Sequence, residues 1–100
     1  MFIVLLQFSG NKSQALEFML GHKEWIKRGI DEGVFLVVGS LKPAKTNGKG
    51  GGGIIAHNTS LEELQQRVND DPFVVENVVT AEVLEISPNQ VDERLNFLLD

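Results

Sequence analysis

Two histidines and the pair Asp70-Asp71 are the side chains of this chain best suited to moving protons. His22 stands in the segment "HKEWIKRG" and Asp71 in "DDPF". Imidazole is the side chain that ordinarily changes charge near neutral pH, so it serves as a general acid or base there. A carboxylate bonded to one ring nitrogen fixes the tautomer and leaves the other nitrogen as the base. The chemistry open to such a pair is proton abstraction or elimination. There is no cysteine, which removes thiolate nucleophiles and Cys-based zinc sites. No Ser–His–Asp spacing marks a nucleophilic serine. His22 and Asp71 offer two metal ligands without a clear third, so no metal is expected, and nothing in the pattern calls for a cofactor.

Each of these residues also has a plainer reading. From Ser13 to about Glu32 the pattern predicts a long helix ending near Gly33. At about 100° per residue, Ala15, Phe18, Met19, Trp25 and Ile26 fall on one arc, and His22 lies inside it, toward the core. A single histidine on an apolar face is more often a satisfied core residue than a catalyst. Asp71 precedes Pro72, which biases it out of the helical region and predicts a helix stop. Its plain role is to cap a short turn beginning at Pro72, worth about 1 kcal/mol. His57 reads as a surface residue beside a helix cap.

The elements that must position these groups follow from periodicity. Phe2 to Phe8 predicts a strand with Phe2, Val4, Leu6 and Phe8 on one face and Ile3 and Leu5 on the other. Val34 to Val38 predicts a second strand, apolar on both faces, and Gly53 to Ala56 a short third. A helix from Ser60 to about Asp70 opens with the capping box Ser60-x-x-Glu63. Val78 to Ile86 predicts the fourth strand. A second capping box, Ser87-x-x-Gln90 with Pro88 at the first helical position, predicts a C-terminal helix carrying Val91, Leu95, Leu98 and Leu99 on one side.

The order β-α-β-β-α-β with a tail helix is the ferredoxin-like pattern, an α+β fold. Both helices then lie on one face of the sheet, so a meeting of His22 with Asp71 is geometrically open. A pocket is expected between sheet and helices, walled by Phe8, Trp25 and Phe73. Ser40, at a strand end, is a ligand contact or a turn residue. The ligand is expected to be a small, partly apolar, oxygenated molecule. The strands are apolar on both faces, and an uncovered apolar face of that size is rarely left in water. A homodimer joined through these faces is expected. The alternative is a tail helix folded back over that face.

The bulk numbers narrow the function. One hundred residues with 42% apolar content argue for a single domain with a modest core. Residues 1–87 are expected to form it, and 88–100 an extension that strengthens the dimer or builds a higher oligomer. A net charge of −5 argues against nucleic acid and anionic membrane surfaces. An RNA-binding sheet needs aromatics on a central strand, and "GGGIIAHN" has none. "MFIVLLQF" is too short to span a bilayer and has no basic segment before it, so a soluble cytoplasmic protein is expected. The stretch "GSLKPAKTNGKGGGG" begins like a phosphate-binding loop, but Ala44 replaces the second glycine and no helix follows. It predicts a mobile hairpin loop across Gly48 to Gly53, with a lid as its possible function.

Taken in order, "FIVLLQF", "HKEWIKRG", the strand end Gly39-Ser40 and "DDPF" resemble the YCII (YciI-like) family over nearly the whole chain, to about Ile86. The resemblance implies small ferredoxin-like chains that pair into dimeric α/β barrels. It also implies a His–Asp dyad, here His22 and Asp71, and, for some members, lyases that eliminate chloride from chlorinated hydroxyquinones. Against this enzyme stands a non-catalytic ligand-binding or assembly module. There the same pair is structural, kept because breaking it strands a buried polar group.

Overall fold

In the computed structural model, residues 1–42 and 50–99 are described. Four strands, β1 (Phe2–Phe8), β2 (Phe35–Leu41), β3 (Gly51–Ala56) and β4 (Val79–Glu85), form one sheet. Its order is β2-β3-β1-β4, with each neighbouring pair antiparallel. Helices α1 (Ala15–Asp31) and α2 (Leu61–Asn69) and the one-turn α3 (Pro72–Val75) complete a ferredoxin-like α+β fold. Among the described residues no helix is long and apolar enough to cross a membrane.

Alternation in the central strand sets the core. Phe2, Val4 and Leu6 are buried on the helix side. Register carries that side across the sheet, because Val4 pairs with Ile54 of β3 and Val83 of β4. Trp25 from α1, Leu64 and Val68 from α2 and Phe73 from α3 close over it. Each fully buried side chain of this kind contributes about 1.5–3 kcal/mol. Helix α2 begins at the expected capping box, with the Ser60 hydroxyl accepting from the Glu63 N–H and the Glu63 carboxylate accepting from the Ser60 N–H. Helix α1 ends at Gly33, whose φ of +78° takes the left-handed turn.

Three expectations are corrected. The glycine run is not all loop: Gly51 to Gly53 belong to β3, in register with Gln7 to Leu5 of β1. The remainder of that stretch, 43–49, lies outside the described residues, as does the expected lid. The second strand runs on to Leu41 and carries a bulge between Phe35 and Val37. The bulge reverses the side-chain parity beyond it, so Val38 and Ser40 share the helix side with Phe35, opposite Ile54 and Gly52. This accounts for a strand that reads as apolar on both faces.

The third correction concerns the tail. Ser87 does not cap an α-helix. Reciprocal backbone hydrogen bonds between Met1 and Ile86 hold the chain extended at the end of β4. The tail turns only at Glu93–Leu98, in 3₁₀ geometry capped by Asp92 and kinked at Leu95. So short a segment gains too little from helical hydrogen bonding alone to offset nucleation. It follows the sheet instead, forming a groove whose walls include Val37 and Ile55 on one side and Val91 and Leu95 on the other. The Phe97 ring meets His57 edge-on, with centroids 5.5 Å apart. The tail leaves much of the sheet's second face open: Val37, Leu84 and Ile86 are 56%, 42% and 41% exposed.

Candidate active site

His22 projects from α1 toward the core, one turn before Trp25. Two local features bring Asp71 to it. Pro72 holds Asp71 extended, at φ −63° and ψ 123°, so its side chain turns back as the cap of α3. Gly21, beside His22, has no side chain, and a Cβ there would come within 3.0 Å of Pro72 Cγ. The glycine therefore lets α3 pack directly on α1.

The result is a buried junction. Asp71 is wholly inaccessible to solvent, while the His22 side chain keeps 14% of its surface exposed. Asp71 Oδ1 accepts from the Phe73 N–H at 3.0 Å and lies 2.8 Å from His22 Nδ1. An ionised carboxylate only accepts, so in the neutral imidazole this contact calls for the proton on Nδ1 and leaves the lone pair on Nε2. Asp71 Oδ2 is buried with no hydrogen-bond partner among the described residues. The Phe73 ring stacks on the imidazole at 4.0 Å with planes 5° apart, and Trp25 lies on it at 5.9 Å. Trp25 is itself fixed by its indole N–H, which donates to the Arg67 carbonyl at 2.8 Å. Three contacts thus hold the ring in one orientation, which general acid–base chemistry requires.

A cavity of about 320 Å³ opens between the sheet and α1, and His22 lies in its wall. That is the lower end of the range for small-molecule sites. Phe8, Phe73 and Ser40 lie in its wall. Asp71 stands behind the imidazole, away from the cavity wall. Trp25 does not line it; only 1% exposed, it packs behind His22 with its edge against Phe35. Its part is to hold the imidazole.

Two further lining residues bear on how a ligand fits. Lys23 follows His22 and reaches the same cavity. Gly52 shares its face with Leu6 and Ser40, and the missing side chain leaves the space open. The signal for Gly52 was present, since glycine inside a strand often marks a close approach of ligand or backbone. It was hidden within a run that reads as loop. Among the described residues no group of three metal-ligating side chains occurs.

The model of the YCII-related domain matches residues 1–88, and the chain belongs to that family. Among solved structures, it is similar to 5-chloro-2-hydroxyhydroquinone dehydrochlorinase from Burkholderia phenoliruptrix, in complex with 2,5-dihydroxybenzoquinone. The TM-score is 0.65 at 15% identity, covering 86% of this chain and 93% of the other. That likeness carries the fold. Comparison with curated proteins gave no match.

Proposed function

We propose that this YCII-related chain is a small-molecule enzyme of lyase type, with His22 as general acid/base and Asp71 as the group that orients it. One observation carries the reading: His22 is bonded through Nδ1 to a fully buried carboxylate at 2.8 Å while lining the cavity. Nε2 takes a proton from the substrate. The electron pair left behind moves through the carbon framework and expels an electronegative substituent with its bonding pair. The net change is loss of HX, with no oxidant or reductant. Phe8 and Phe73 form the apolar walls, and the Ser40 hydroxyl offers a hydrogen bond to a substrate oxygen. The solved neighbour, a dehydrochlorinase held with a planar dihydroxyquinone, motivates chloride as the first leaving group to try.

The same reading has the chain work as a homodimer joined through the second sheet face. Support comes from Val37, Leu84 and Ile86, which remain exposed there beside the tail.

The test is chloride release from chlorinated hydroxyhydroquinones by wild type and His22→Gln. Loss of turnover with ligand binding retained supports catalysis by His22. Undiminished turnover in His22→Gln would overturn it. If wild type binds a dihydroxyquinone but turns over none of the series, the ligand-binding module takes its place.

A further inference from the structure

The cavity's charge runs against that of the whole chain. The sequence has 14 acidic and 9 basic residues, yet among the described residues no Asp or Glu lines the cavity. Among the described residues Lys23 is the one lysine or arginine in its wall. Among the described residues Lys27, Arg67 and Arg94 each meet a carboxylate, whereas Lys23, like Lys12 and Arg28, takes part in no ion pair. A second ammonium is near the same wall, with Lys12 Nζ 5.1 Å from the centre of the Phe8 ring. The one carboxylate at the site, Asp71, lies buried behind the imidazole, so a ligand meets His22 and Lys23 before any negative group.

From this we infer that the cavity takes a small organic anion, a flat apolar frame bearing a carboxylate or an acidic hydroxyl, and that Lys23 is the residue selecting for its charge. The inference rests on the proposed use of the cavity and adds the class of substrate. Phe8 and Phe73 receive the frame, and Lys23 receives the anionic oxygen. An ammonium on a flexible stem suits this as a point charge rather than a bidentate clamp. As His22 draws a proton from the ligand, Lys23 also offsets the negative charge that develops.

The test compares two probes of nearly equal shape, 2,5-dihydroxybenzoate and its uncharged amide, 2,5-dihydroxybenzamide. Affinities are measured by NMR titration in wild type, Lys23→Met, Lys23→Arg and Gly52→Val. Wild type is expected to prefer the carboxylate by about tenfold, a preference that weakens with added salt. Lys23→Met should abolish the preference, and Lys23→Arg should keep most of it. Equal affinity of wild type for the two probes, binding of neither, or a preference that survives in Lys23→Met overturns the inference. Gly52→Val separates this from failure of the underlying reading. If Gly52→Val binds both probes as wild type does, the cavity is not the site, and the proposed function falls with it. If it blocks both while Lys23→Met changes nothing, the site stands and Lys23 does not select.

Discussion

His22 Nδ1 and Asp71 Oδ1 lie 2.8 Å apart although 49 positions separate them in sequence. The same carboxylate oxygen accepts from the Phe73 N–H, so one atom both caps α3 and orients the imidazole. The two roles can be separated by substitution. Asn caps a helix nearly as well as Asp, while Ala does not. Asp71→Asn should therefore lose little stability, and Asp71→Ala about 1–3 kcal/mol by urea denaturation, from the lost cap and the stranded imidazole N–H. Turnover should fall by about 10²-fold or more in both if His22 is the acid/base. Equal stability loss in the two variants would show that charge, not capping, holds the junction.

The tautomer of His22 is directly observable. At a pH where the imidazole is neutral, ¹⁵N spectra should show Nδ1 protonated and Nε2 as the unprotonated nitrogen. Asp71→Ala should redistribute the proton toward Nε2, the tautomer favoured in free imidazole side chains. A wild-type ring already protonated on Nε2 would contradict the dyad.

Two glycines should respond oppositely to the same methyl group. A Cβ on Gly29 would sit 2.2 Å from the Phe35 ring, which packs edge-on against Trp25 and so supports His22. Gly29→Ala should cost about 1–3 kcal/mol and lower Tm by at least about 4–8 °C. On Gly52 the Cβ meets only the Gly39 carbonyl oxygen, at 3.5 Å, an ordinary contact. Gly52→Ala should fold normally and narrow the cavity. Differential scanning calorimetry distinguishes the two, and matched losses would refute this account of the packing.

The proposed dimer is checked by sedimentation. Wild type should sediment as a dimer of the 11.1 kDa chain. Val37→Lys combined with Leu84→Lys should shift it toward monomer, because charge on the shared face is costly to bury. A wild-type monomer at micromolar concentration would remove the dimer.

The β2 bulge makes the last prediction. Deleting Leu36, the extra residue of the bulge, should restore strict alternation with Phe35 still opposite Ala56 and Val38 opposite Ile54, so Ser40 stays on the cavity face. Ligand affinity should then remain near that of wild type where circular dichroism shows the sheet retained. A large loss of affinity with the sheet intact would refute this account of the register.

By itself the sequence determined the order of elements, because period-two and helical apolar patterns are local. It marked Ser60 and Asp71 as caps for the same reason, since a cap acts within a few residues. It placed His22 on the buried side of α1 through the arc it shares with Trp25 and Ile26. Only the tertiary structure decided the rest. Whether Asp71 meets His22 depends on how closely α3 approaches α1, which Gly21 permits. Which side Ser40 faces depends on one extra residue in β2, and local periodicity does not register it. Gly52 became a cavity wall because its strand partners brought Leu6 and Ser40 to its face. The tail's capping signals did not produce an α-helix, because backbone pairing of Met1 with Ile86 and packing along the sheet outweigh a marginal local preference.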